Sequence, residues 1–148
     1  MKSINITGID ISKKAVEVAK KNANKLNMNN RLKFCKKSFN QIFNNKFDLI
    51  VSNPPYLARS EIKNLDDDVR NYEPLIALDG GNDGLDVIKK VIYKSKYILK
   101  IKGTLALEIG NRQSKEVSKI LKINNFKVVH IIKDFKDNVR CLISIFNG

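Results

Sequence analysis

The stretch Phe47-Asp48-Leu49-Ile50-Val51-Ser52-Asn53-Pro54-Pro55-Tyr56 limits the fold more than any other in the chain. A short apolar strand runs straight into two prolines. Neither has an N–H for a sheet ladder, and each biases the residue before it toward an extended conformation. The strand therefore has to stop there and leave a stiff, open exit. The carbonyls of that exit remain acceptors, and the Asn53 amide and the Tyr56 ring stand beside them. Residues 53–56 are expected to form a rigid cup of acceptors with an aromatic wall, suited to a planar NH2 group.

The elements around this strand follow from periodicity. Ile4 to Ile9 alternates apolar and polar and ends on Asp10; Ser12 then opens a segment with Ala15, Val16, Ala19, Ala23 and Leu26 on one helical face. An acid at the C-terminal end of a strand can accept both hydrogen bonds of a ribose diol, or it can help Ser12 cap the helix. Both readings of Asp10 are open from the residues. Asn27 to Asn30 is a polar turn, Leu32 to Cys35 a brief strand, and Phe39 lies just past its end, placed either to stack on an adenine or to pack as core.

Residues 57–83 show no clean period, which in a compact domain points to a loop with a task. A short helix is expected around Ser60 to Asp67. A sheet-covering helix follows from about Gly84 to Leu99, with Leu85, Ile88, Val91, Ile92 and Ile98 inward. Gly103 is expected to turn the chain into a strand over Thr104 to Ile109. Residues 113–123 read as a helix with Val117, Ile120 and Leu121 inward. Phe126 to Ile132 and Cys141 to Phe146 read as an antiparallel hairpin at the sheet edge. Alternating strands and helices of this kind predict a three-layer α/β sheet with ligands at the strand C-terminal ends.

At 148 residues the chain is the size of one domain, and its apolar runs are far shorter than a membrane span. A single cytosolic domain is expected. Cys35 and Cys141 have no CxxC spacing and no His partner nearby, so they read as buried reduced thiols, with no metal site. His130 alternates within a strand and reads as structural. The net charge of +13 draws attention to nucleic acid, but 23 of the 28 basic residues are Lys, spread along helices rather than interleaved with aromatics. A solvated lysine surface is the preferred reading over a dedicated binding patch, with a weak nucleic-acid contact left open.

Several blocks occur together in one order: Gly8-Ile9-Asp10-Ile11-Ser12 with Ala15 and Asn22-Ala23, Phe47 through Tyr56, and Tyr72-Glu73-Pro74 with Ala77-Leu78 and Gly84-Leu85. Leu107-Glu108-Ile109-Gly110 and then Asp134 with Asn138 and Arg140 complete the series. In these blocks the chain resembles the HemK-like protein-glutamine methyltransferases, which use S-adenosylmethionine to methylate a glutamine side-chain amide in peptide release factors. The resemblance implies a Rossmann-like class I methyltransferase sheet. It implies that Asp10, with Ile11 beside it, holds the cofactor ribose and that Phe39 lies against the adenine. Ser38 precedes Phe39 where the family usually has an acid. Asn53 is implied to touch both the methionine moiety and the substrate amide, with Pro54, Pro55 and Tyr56 completing the substrate cup.

The same resemblance implies a further strand with a glycine-rich cofactor loop ahead of Asp10, lying in the sheet between the strand ending at Asp10 and the one ending at Asn53. Nothing in Met1 to Thr7 is similar to it. Two facing unpaired strand edges and weak cofactor binding by this chain alone are the expected result. Two other functions remain open from the sequence: an adenine-type amino methyltransferase acting on nucleic acid, and a non-catalytic fragment that binds RNA or a protein through its lysines.

Overall fold

The computed structural model describes residues 4–42, 46–65 and 74–148. These form two compact units, dividing at about residue 43.

The first unit is a β-α-β element. Strand β1 (Ile6–Asp10) pairs in parallel with β2 (Leu32–Lys36), Asp10 lying opposite Lys36. Helix α1 (Lys13–Lys25) connects them, and the Ser12 hydroxyl caps it by accepting the Ala15 N–H at 3.2 Å. Of the face expected to turn inward, Val16 and Ala23 are buried, Ala19 is half-buried, and Ala15 and Leu26 are exposed. A pair of strands is too narrow a platform to cover a whole helical stripe. Lys37, just past β2, donates its N–H to the Asp10 carbonyl, and a short 3-10 turn follows at Phe39–Gln41.

The second unit is a four-stranded mixed sheet. Its strands are β3 (Phe47–Ser52), β4 (Leu99–Glu108), β5 (Phe126–Lys133) and β6 (Val139–Phe146), in the order β3-β4-β6-β5. The β3–β4 pair is parallel, and β6 is antiparallel to both β4 and β5. The hairpin thus sits at the sheet edge as the sequence predicts. Among the described residues β1 pairs with β2 alone and β3 with β4 alone, so each presents one open edge.

Helices α4 (Asp86–Ile98) and α5 (Ser114–Ile123) touch each other and lie on one face of this sheet. Two single turns of helix, α2 (Arg59–Ile62) and α3 (Leu75–Leu78), come earlier in the unit. The covered face is the core: Ile88, Ile92, Leu105, Leu107, Val117, Leu121 and Leu142 are fully buried, and the Phe126 and Phe146 rings pack at 5.1 Å. Alternation along β3 follows from this one-sided cover. Ile50 is buried, while Leu49 and Val51 are 54% and 74% exposed.

Four details differ from the expected pattern. β4 begins at Leu99, not Thr104, because a bulge opposite Phe47 to Leu49 absorbs the intervening residues. The left-handed position there is Lys102, with φ +63°, not Gly103. The cysteines are unpaired but only half-buried, and burial raises the Cys141 thiol above its ordinary pKa. His130 is exposed where β5 shifts register, so it takes no part in the core.

Candidate active site

The strand-to-cup transition forms where the prolines require it. β3 ends at Ser52, Asn53 follows exposed, Pro54 is buried, and Pro55 and Tyr56 are half-buried. Among the described residues no hydrogen bond reaches the Asn53 side chain or the Pro54 and Pro55 carbonyls. These are the acceptors the sequence singles out, and they remain available.

Tyr56 is held at both ends. Its hydroxyl donates to Glu108 Oε1 at 3.3 Å. Burial and then the Glu108 carboxylate raise the phenol's pKa, with Arg140 acting the other way, so Tyr56 is a neutral hydrogen-bond donor at physiological pH. Its backbone carbonyl accepts from Gln113 Nε2 at 2.9 Å.

The chain leaving the cup is fastened to the segment preceding α4. Leu57 donates to the Leu78 carbonyl and accepts from the Gly80 N–H, Arg59 donates its N–H to Gly81, and the Arg59 guanidinium pairs with Asp79 at 3.2 Å. Asp79 in turn accepts the Gly81 N–H, which is the main reason its carboxyl pKa lies below the usual range. Leu78 and Gly80 thus bond the cup's exit directly. Tyr72 and Glu73 of the same sequence block lie outside the described residues.

At the far end of β4 a second brace forms. Asp134, at the start of the β5–β6 turn, accepts from the N–H groups of Asn138 and Lys136, from the Asn138 side chain and from Arg140 Nε at 3.0 Å. These donors, the Asn138 N–H foremost, hold the Asp134 carboxyl at about 2. Arg140 is thereby oriented, and its carbonyl accepts the Ile109 N–H, fixing the strand end that carries Glu108.

The residues expected to hold a cofactor lie in the first unit. Asp10 is exposed at the C-terminal end of β1, where Oδ1 accepts the Ser12 N–H at 2.7 Å. The capping role is therefore real, and it uses only one carboxylate oxygen. Oδ2 has no hydrogen bond to a described residue and can accept from a hydroxyl group. Ile11 is half exposed. Ser38 closes a capping box with Gln41, and the Phe39 ring is half-buried past the end of β2. A carboxylate acceptor and an aromatic ring thus stand at or just past the ends of two parallel strands.

Sequence comparison agrees with this reading of the fold. The family model of an RMKL-like methyltransferase domain matches residues 1–68. The release factor glutamine methyltransferase of Clostridium acetobutylicum is 40% identical over 99% of the chain, and that of Fusobacterium nucleatum 42% identical over 97%. Over nearly its whole length the chain is similar to these two release factor glutamine methyltransferases. It covers 53% and 41% of those two proteins, so it spans about half the length of the curated relatives it matches. Among solved structures, a ribosomal protein L11 methylase from Lactobacillus delbrueckii superposes with TM-score 0.68 at 17% identity, covering 97% of this chain and 58% of that one. A methyltransferase from Pyrococcus furiosus superposes with TM-score 0.69 at 15% identity, covering 97% and 64%. The fold is the Rossmann-like α/β fold of S-adenosylmethionine-dependent methyltransferases.

Four residues of the site had no assigned role from sequence. Glu108 and Arg140 stood in recognisable blocks but without a task, because strand pairing, not spacing, brings them to Tyr56. Gly84 had a signal in the glycine-rich run 80–84. Gln113 had none.

Proposed function

We propose that the chain carries the substrate cup of an enzyme that methylates the side-chain amide nitrogen of a glutamine in peptide release factors, with S-adenosylmethionine as methyl donor. The observation that carries this is the 40% identity to a release factor glutamine methyltransferase over 99% of the chain. The acceptors of Asn53, Pro54 and Pro55, which take no hydrogen bond from a described residue, supply a chemistry consistent with it.

A carboxamide nitrogen is a poor nucleophile because its lone pair is delocalised into the carbonyl. The site's task is to fix that nitrogen and favour the positive charge that develops on it. Asn53 Oδ1 and the Pro54 carbonyl each accept one N–H, turning the lone pair toward the incoming methyl and stabilising the forming cation, so that no strong base is needed before transfer. Tyr56, braced by Glu108, supplies an aromatic wall against the amide plane or near a cation. Asp10 Oδ2 with Ile11 would hold the ribose of the donor, and Ser38 and Phe39 would flank its adenine. When bound, S-adenosylmethionine supplies an electrophilic methyl group. No helix among the described residues is long and apolar enough to cross a membrane, in keeping with a cytosolic substrate.

The test uses the chain alone and joined to the part of the C. acetobutylicum relative that it does not span. Each is incubated with methyl-labelled S-adenosylmethionine and either a Gly-Gly-Gln peptide or an oligonucleotide. Label in the peptide amide is the expected result. Label confined to the oligonucleotide overturns it in favour of nucleic-acid amino methylation, which needs an extruded base in the same cup.

A further inference from the structure

Gln113 lies one residue ahead of α5, half-buried, and its side-chain amide is engaged at both ends. Oε1 accepts the Gly110 N–H at 2.8 Å, while Nε2 donates to the Tyr56 carbonyl at 2.9 Å and the Gly84 carbonyl at 3.3 Å. One carboxamide therefore joins three segments far apart in sequence: the cup, the turn before α4, and the end of β4. The glycines around it leave it room. A Cβ on Gly110 would stand 3.0 Å from both Oε1 and the Tyr56 ring, and one on Gly84 would stand 2.7 Å from Nε2.

We infer that Gln113 is a positioning residue for methyl transfer: its amide fixes the Tyr56 carbonyl, and through it the direction of the cup's acceptors. The inference rests on the proposed role of residues 53–56. A primary amide is suited to the place because it offers one acceptor to an N–H and two donors to two carbonyls. Glutamate has the same shape but presents oxygen to both carbonyls, and methionine fills the same space with no donor at all. The two carbonyls have no other hydrogen-bond donor among the described residues, so losing Nε2 leaves them unpaired in a half-buried place. Glutamate should be the worse replacement, since it adds repulsion.

Three measurements decide it. In the labelled wild-type chain, NMR should show a scalar coupling across the hydrogen bond from the Gln113 side-chain N–H to the Tyr56 carbonyl carbon. In Gln113→Met the Tyr56 and Gly84 carbonyl resonances should move upfield together, with the buried Leu105 and Leu142 amides unmoved. In methyl transfer to the Gly-Gly-Gln peptide by the joined protein, Gln113→Met should lower kcat roughly ten- to a hundredfold with KM within about threefold, and Gln113→Glu should lower it further. A space-filling role predicts that methionine is tolerated. An absent coupling in wild type, or unmoved Tyr56 and Gly84 carbonyls in Gln113→Met, overturns the inference whether or not the variants fold well or the protein transfers methyl groups. Wild-type protein that shows the coupling but leaves the peptide unlabelled disproves the assigned reaction and with it a positioning role in it. Equal kcat in wild type and Gln113→Met also overturns the role.

Discussion

Gly84→Ala is the sharpest perturbation of the frame that holds the cup. Gly84 has φ +73°, a conformation that costs an L-residue about 1–2 kcal/mol. The added methyl would also meet the Tyr56 carbonyl oxygen, Gln113 Nε2 at 2.7 Å and the Ala58 nitrogen at 3.2 Å. Two of these are backbone atoms and the third is tied at both ends, so none yields cheaply; overpacking of this kind costs about 1–3 kcal/mol. Against this, alanine stiffens the unfolded chain and recovers about 0.4–1 kcal/mol. The net loss is about 2–4 kcal/mol, and with a urea slope near 2 kcal/mol per molar the midpoint should fall by about 1–2 M. The assay is simple, because the chain has no Trp and its four tyrosines, Tyr56, Tyr72, Tyr93 and Tyr97, all follow residue 43. Tyrosine fluorescence thus reports the second unit alone. Lys102→Gly is the control: it relieves a left-handed φ of +63° at an exposed position, so its midpoint should hold or rise. A Gly84→Ala midpoint within about 0.3 M of wild type would mean that the turn before α4 does not constrain the cup as the geometry requires.

Three further outcomes are expected. Asn53→Ala should lower turnover on the Gly-Gly-Gln peptide by about a hundredfold, because it removes an acceptor for the developing charge; unchanged turnover refutes that role. The Asp134 carboxyl is depressed to about 2, so its contribution to the β5–β6 turn is whole above about pH 4 and is lost as pH falls through the folded value. NMR titration should move the Lys136 and Asn138 amides together in that window and not above it, whereas movement centred above pH 4 contradicts the bonding described. Calorimetry of the 148-residue chain with S-adenosylmethionine should show weak or no binding, since the cofactor residues proposed in it are Asp10, Ile11, Ser38 and Phe39 and, among the described residues, β1 and β3 each bond on one side only; tight binding refutes this.

What the sequence makes legible is whatever local chemistry decides. Pro54 and Pro55 end β3 through their missing N–H groups, Ser12 caps α1 through its own hydroxyl, and the 3.6-residue period of Ile88, Val91, Ile92 and Ile98 selects the buried face of α4. What it hides is decided by distant strands. The register shift between β3 and β4 falls within a continuous strand and puts the left-handed residue at Lys102, not at Gly103, because the partner, not the glycine, sets the register. Glu108 reaches the Tyr56 hydroxyl across 52 residues and Gln113 reaches the Tyr56 carbonyl across 57. No window along the chain contains either pair. Asp10 shows the intermediate case, where two readings are open from sequence and the structure gives one oxygen to the cap and leaves the other without a bond to a described residue.

The open edge of β3 has a colloidal consequence. A strand that bonds on one side only among the described residues, with Leu49 and Val51 exposed, is a template for pairing with another copy, and an association seeded there would grow with concentration. The charge of +13 opposes this by holding copies apart, and mutual repulsion reaches only as far as salt allows, about 10 Å at 0.1 M. The charge thus favours solubility, and raising the ionic strength should turn a clear solution of this chain turbid.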